Sequence, residues 1–440
     1  MSDNSHFVPN VEFTPQMKET HTILIPAMMP FHFELISRIL NQNGYKTEVL
    51  ATNHSGIVEQ GLRSVHNDTC YPALLVIGQF LDALQSGKYD TDKVALMITQ
   101  TGGGCRASNY ISLLRKALRK HDLGHIPVIS LNFQGLDKQS GFSVNRELLL
   151  KMFYSVLYGD LLMWVYNQCV PYELGKDRSL TVANKWIHRL GDMDKKQLFR
   201  LKDNCYAILD DFGNVLRDTS QRKPRVGIVG EIYVKYAPLG NNELEKILIE
   251  HGVEVVNTGL LDFCLYNIYN GIYDRKIYGG SLLKNLGARL VLKYAIGKQR
   301  KMITAIRRHK GFRPPTDFRK VIKMGYGYLD HAVKMGEGWL LTAEMAELLH
   351  SGVSNIVAAQ PFGCLPNHIV AKGMARKIKE NFPHANIAAI DYDPGASRVN
   401  QENRLKLMLA VARRQQGTVQ SVSYATKHKE NVNAVSKIQS

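Results

Sequence analysis

Apolar positions along the chain follow two alternating rhythms. TILIPAM is an unbroken apolar run, FHFELISRILNQNG spaces its apolar residues three and four apart and stops at Gly44, and YKTEVLA returns to strand character. A continuous apolar run suits a strand covered on both faces, a period near 3.6 suits a helix packed on it, and a glycine suits the end of that helix. The stretch therefore predicts a strand–helix–strand unit. The same order returns in the second half as RVGIVGEIYV, NNELEKILIEHG and VEVVNTG.

Each half continues in kind. DKVALMIT (Asp92–Thr99) and IPVISLNF (Ile126–Phe133) predict buried parallel strands around a helix from Arg106 to Arg119. SNIVAAQP (Ser354–Pro361) and ANIAAIDYD (Ala385–Asp393) do the same around a helix from Asn367 to Glu380. Between the halves, Asn145 to Leu216 lacks strand runs, and LLLKMFYSVLYGDLLMWVYNQ has helical spacing. The expected fold class is α/β: two Rossmann-like doubly wound parallel-sheet domains with a helical connector and a disordered C-terminal tail. The expected boundaries are a flexible N-terminus over 1–20, a first domain over 21–140, a connector over 141–221, a second domain over 222–414 and a disordered basic tail over 415–440.

Composition narrows the class. With 440 residues, 45% hydrophobic and 22% charged, the chain has ordinary globular proportions and room for two cores, which excludes fibrous and disordered classes. No apolar run approaches the ~20 residues that span a bilayer, and MSDNSHFVPN has neither the basic nor the apolar region of a signal peptide, so a cytoplasmic location is expected without a membrane partner. A formal charge of +17 favours acidic or polyanionic partners. Much of it lies in 293–323, where eleven Lys and Arg face one Asp. That stretch reads either as a solvated helical face or as a docking patch for an acidic protein, a nucleotide-bearing substrate or nucleic acid. Only Tyr294, Phe312 and Phe318 are aromatic there, which counts against a single-strand nucleic-acid channel.

Six cysteines and no CxxC pair leave thiols, or a metal site assembled from distant segments. Three of them share a context: Cys70 in HNDTCYPALLVIGQ, Cys105 in QTGGGCRASNY and Cys364 in QPFGCLPNH. Each follows a turn rich in Asn, Asp, Gly or Pro and precedes an apolar helical pattern, so each is expected at a helix N-terminus. Free N–H groups there stabilise thiolate or sulfide charge and lower a thiol's pKa. Gly102, Gly103 and Gly104, and Gly363 before Cys364, would let backbone fold closely around an inorganic cluster. A phosphate cradle is the competing reading, but the Lys-Ser/Thr of a P-loop and the GxGxxG fingerprint are both missing. Cys169, Cys205 and Cys264 have apolar neighbours and read as small buried hydrophobes. Three ligands from three turns would leave one iron of a 4Fe–4S cubane open to substrate.

NDTCYPA, TQTGGGCRASNY, QPFGCLPNH and IDYDPGASRVNQENRLKLML resemble the C-terminal part of the large activase-related proteins of the 2-hydroxyacyl-CoA dehydratase superfamily, which also holds benzoyl-CoA-reductase-type and double-cubane-cluster proteins. The likeness runs from about Thr22 to Arg414. It implies two Rossmann-like domains with an iron–sulfur cluster between them on Cys70, Cys105 and Cys364. That cluster would be 4Fe–4S, or a double-cubane 8Fe–9S cluster if another chain supplies a second cysteine set. It also implies a separate ATPase activase of the actin/Hsp70-like class, since this chain has no Walker A motif and no actin-like phosphate turn. A second α/β subunit or a homodimer is the other expected partner.

Arg106, Asn109 and His368 are candidates to hydrogen-bond sulfides or substrate, against ordinary first-turn and packing roles. In IDYDPGAS, Asp391, Asp393 and Ser397 read as a strand-ending turn rather than a metal site. The functional expectation is an oxygen-sensitive iron–sulfur protein that takes low-potential electrons from the ATPase and reduces or dehydrates a small substrate, an acyl-CoA thioester being the leading class. The rivals are a cluster-carrying relay or assembly subunit and a nucleotide- or nucleic-acid-binding module on 293–323.

Overall fold

The computed structural model describes residues 11–66, 69–100, 105–132 and 139–415. Among these the strands form two four-stranded sheets, each wholly parallel. The first holds β1 (Thr22–Pro26), β2 (Lys46–Leu50), β3 (Val94–Gln100) and β4 (Val128–Asn132) in the order β2-β1-β3-β4. The second holds β5 (Arg225–Gly230), β6 (Glu254–Asn257), β7 (Asn355–Pro361) and β8 (Asn386–Tyr392) in the order β6-β5-β7-β8. Both sheets thus repeat one topology, in which the chain moves from an inner strand to the edge and then crosses to the other side. That reversal leaves a crevice beyond the carboxyl ends of β1 and β3, and another beyond β5 and β7.

Alternation along the strands decides what each face meets. Ile23, Ile25, Ala95 and Met97 join a core built with the connector helices, whereas Leu24, Leu96 and Ile98 point the other way. The second group shares one core with Val226, Ile228, Val255 and Val357 of the second sheet, so the two lobes are joined by a common apolar interior.

The connector is the helix Arg146–Cys169, followed by Arg178–Gly191 and Leu201–Gly213. Contrary to the sequence reading, 146–172 is long and apolar enough by length and composition to cross a membrane. Its apolar window is 61% buried against the protein's own core, where Tyr154, Tyr158 and Leu161 pack. Asp160 of this helix accepts hydrogen bonds from His32 of lobe one at 2.8 Å and from the Leu260 and Leu261 N–H groups of lobe two at 2.7 and 3.0 Å.

Two expectations need correction. The segment from 13 onward is not a flexible leader: Phe13 is fully buried, its N–H donates to Gln139 at 2.6 Å, and the helix Pro15–Thr20 follows. Residues 1–10 and 416–440, including nearly all of the expected basic tail, lie outside the described residues. Second, β6 and β7 are separated by a helical insertion, Leu260–Tyr278, Leu282–His309, Phe318–Gly325 and Trp339–His350, of which the sequence reading marked only 293–323, as a solvated helical face or a docking patch.

Candidate functional site

The three motif cysteines come from three separate helix starts. Cys70 is the N-cap of Tyr71–Gln85, whose buried face runs almost without break from Tyr71 to Leu84. Cys105 caps the 3-10 turn Arg106–Asn109, which runs into the helix Tyr110–Lys120. Cys364 follows β7, and its carbonyl accepts the His368 N–H at 2.9 Å as the next helix begins. Gly363 makes this last turn with φ +74, a conformation open to glycine, and nothing stands within 4 Å of where a Cβ would be.

These starts converge. Cys70 lies within electrostatic range of both Cys105 and Cys364, although they belong to different lobes. The Tyr110 hydroxyl lies 3.2 Å from the Cys70 sulfur. Asn367, fully buried, donates its side-chain amide to the Cys364 sulfur at 3.3 Å. It stands on a π-helical turn, Asn367–Lys372, a wider coil that recurs at functional sites.

Two acids that the sequence reading missed complete the surroundings. Glu231 directly follows β5, accepts the Val234 N–H at 2.8 Å, and acts electrostatically on both Cys70 and Cys364. Glu337 accepts the Ile232 N–H at 3.0 Å and acts on Cys364. Gly230 permits this approach, since a Cβ there would overlap the Ala359 carbonyl oxygen of β7. Glu231 announced itself weakly, as the polar residue ending the run RVGIVG at a carboxyl edge; Glu337 carried no signal.

Charge in this pocket runs against the helix-start expectation. Burial pushes the Cys70 thiol well above its ordinary range, with Glu231 adding to the effect and Tyr110 opposing it. Burial likewise pushes Cys364 up to about 12, helped by Glu337 and opposed by the Asn367 donors. Burial raises Glu231 and Glu337 as well, Glu337 adding to the rise of Glu231, so the pair keeps a proton at neutral pH. Desolvation has therefore beaten the helix N-termini. The groups acting most strongly on these thiols are acids, not a histidine or lysine that could activate a thiolate nucleophile.

A metal assembly reverses that balance, because coordination deprotonates a thiol outright. No group of three His, Cys, Asp or Glu side chains among the described residues is close enough to hold a single ion. Thiolates around one zinc would stand roughly 4 Å apart, whereas cubane ligands bind separate irons and stand wider. Buried acceptors near Cys364 also lack partners among the described residues: the side-chain oxygens of Gln360 and Asn367, and His368 Nδ1. Cys70, Cys105 and Cys364 are the side chains that would hold an iron–sulfur cluster, with the Asn367 amide a donor to the Cys364 sulfur.

The other expected residues divide. Gly102, Gly103 and Gly104 lie outside the described residues. Arg106 and Asn109 are exposed on the rim. His368 turns its Nε2 toward Asp391 at 3.6 Å, and Gln360 donates to the same carboxylate at 2.6 Å, so His368 is held toward β8. Asp393 accepts the Gly395 N–H in a tight turn. Cys169 and Cys205 are fully buried and Cys264 packs against the same core, with no disulfide joining any cysteine.

No protein-family model matches this chain, and no curated protein matches it. The fold defines its class: a two-lobed parallel α/β protein whose lobes share one apolar core.

Proposed function

We propose that Cys70, Cys105 and Cys364 hold an iron–sulfur cluster at the seam of the lobes, as the resemblance to the 2-hydroxyacyl-CoA dehydratase superfamily implies. The cluster would be 4Fe–4S, or half of a double-cubane assembly completed by a second chain. When bound, it supplies a low-potential electron, received from a separate ATPase of the actin/Hsp70-like class and delivered to a small substrate such as an acyl-CoA thioester. A cytoplasmic, oxygen-sensitive protein is the corresponding reading. What supports the proposal is that the three cysteines stand at helix starts, that Cys70 comes within electrostatic range of both Cys105 and Cys364, and that Asn367 donates to the Cys364 sulfur at 3.3 Å.

The chain's own residues have definable parts. Tyr110 and Asn367 hold two of the sulfurs by hydrogen bonds. Glu231, which acts on Cys70 and Cys364, keeps its proton near neutral pH. Gly363 leaves space at the Cys364 turn.

Anaerobic purification should give a brown protein with about four irons per chain, or about eight per pair of chains for a doubled cluster. Cys70→Ser, Cys105→Ser and Cys364→Ser should each lower iron and sulfide content, whereas Cys205→Ser should not. Colourless, iron-free protein after anaerobic preparation and reconstitution would overturn the proposal.

A further inference from the structure

A cavity of about 80 Å3 lies at the amino end of the second sheet, between the edge strand β6, the last turns of the connector helix and the helical insertion. Arg225 begins β5 and Glu254 begins β6, whereas Cys364 follows the far end of β7. A strand's length, on the order of 20 Å, therefore separates the cavity from Cys364. Its interior is lined by hydrogen-bond acceptors. Asn167 and Asn257 are only 3% and 2% exposed. Asn257 donates its amide to Glu245 at 2.9 Å, and Asn167 acts on the same buried carboxylate. An amide turns its nitrogen, not its oxygen, toward a carboxylate, so the oxygens are the spare atoms. Neither Oδ1 has a hydrogen-bond partner among the described residues, a costly state for a buried carbonyl. Glu347 lines the cavity as a third acceptor and takes the Thr316 hydroxyl on one oxygen.

The mouth is cationic. Arg225 donates to the Gly352 carbonyl at 3.0 Å, while Arg313, its side chain 51% exposed, pairs with Glu254. Glu254 is the one carboxylate paired with either guanidinium among the described residues, and it also accepts the Tyr172 hydroxyl at 3.1 Å. Burial and the nearby Arg225 both act against the charge of Arg313. A second carboxylate at the mouth would relieve that repulsion, and the guanidinium fork is shaped to grip one by two parallel bonds. The backbone holds Arg313 in place: its N–H donates to Gln168 at 2.9 Å and its carbonyl accepts the Trp164 indole at 2.6 Å.

We infer that this cavity binds a small zwitterionic amino acid, its carboxylate on Arg225 and Arg313 at the mouth and its ammonium on Asn167, Asn257 and Glu347 inside. Binding there is independent of the cysteine chemistry. An ammonium carries three N–H donors and no acceptor, which answers three acceptors with nothing left over. A plain carboxylate brings no donor to the asparagine oxygens, and a plain amine brings no anion to the guanidiniums. Size narrows the class further. At the volume one water needs, the cavity has room for about five to seven non-hydrogen atoms, which covers glycine, alanine and serine and excludes a nucleotide or a coenzyme A.

The experiment is isothermal titration calorimetry of the full chain with glycine, alanine and serine, set against acetate, methylammonium and glycolate. At least one amino acid should bind with a Kd of about 1 mM or tighter, and acetate and methylammonium at least ~10-fold more weakly. Glycolate matches glycine in size but carries a hydroxyl in place of the ammonium, and it should also bind at least ~10-fold more weakly than glycine. Arg225→Gln, with an unchanged urea midpoint, should weaken the tightest amino acid ~10-fold or more, and Asn257→Leu should do the same from the interior. If Asn257→Leu does not fold, glycine against glycolate still reads the ammonium end. No amino-acid binding up to about 20 mM, acetate or glycolate binding as tightly as glycine, or amino-acid binding indifferent to Arg225→Gln would overturn the inference.

Discussion

The Tyr110 hydroxyl lies 3.2 Å from the Cys70 sulfur and so joins the helix that begins after Cys105 to the cap of Tyr71–Gln85. This contact favours the thiolate of Cys70, against burial and Glu231. Tyr110→Phe should raise the Cys70 pKa further and slow its alkylation a few-fold at alkaline pH, with the modified residue identified by mass spectrometry. Loss of stability should be about 1 kcal/mol. Unchanged or faster alkylation would show that the contact does not act on the sulfur.

Glu347 is buried on Trp339–His350, and burial raises its pKa to about 7. The unfolded chain releases this proton near pH 4.5 while the native state keeps it to about 7. Between those values the native state binds more protons, so stability contributed by this group is full below pH 4.5 and falls as pH rises through 7. The loss amounts to at most about 3 kcal/mol. Glu347→Gln should flatten the urea-denaturation midpoint over this window; an equally steep decline in the variant would assign it elsewhere.

Lys235 donates to both oxygens of Glu344 at 3.0 Å in the interior of lobe two, with Thr258 donating to the same carboxylate at 2.6 Å. Lys235→Met alone leaves a buried carboxylate unpaired and should cost about 3–5 kcal/mol. Lys235→Met with Glu344→Leu should cost less than the single change, since both charges leave together. A double variant whose loss equals the sum of the two singles would contradict this coupling.

Asp160 ties His32 of lobe one to the first N–H groups of Leu260–Tyr278 in lobe two. Asp160→Ala strands a buried imidazole and two helix donors, and should destabilise the fold by about 3 kcal/mol or more. Hydrogen exchange should rise at Leu260 and Leu261 while the β1–β3 ladder stays protected. Equal exposure of both regions would mean that Asp160 supports the whole fold rather than the junction.

Much of the architecture was legible before any coordinates. TILIPAM, RVGIVG and SNIVAAQP became inner strands, because a continuous apolar run can be accommodated only where helices cover both faces. Cys70, Cys105 and Cys364 could be placed at helix starts from their turn residues and the helical patterns that follow. The insertion between β6 and β7 was legible only over 293–323, read as a solvated helical face; in LLDFCLYNIYNGIYDRKIY tyrosines and charges interrupt a simple stripe, since that helix packs on several sides. The N-terminal anchor was missed because Phe13 finds its partners near Gln139, far along the chain.

Local sequence determined which segments coil and which extend, because that choice rests on periodicity, turns and caps within a few residues. Only the tertiary structure decided that Cys70 comes within electrostatic range of Cys105 and Cys364, that Glu231 and Glu337 act on Cys364, and that desolvation there outweighs the helix ends. The physical reason is distance: burial and Coulomb interaction depend on neighbours in space, and chain topology brings those neighbours from both lobes.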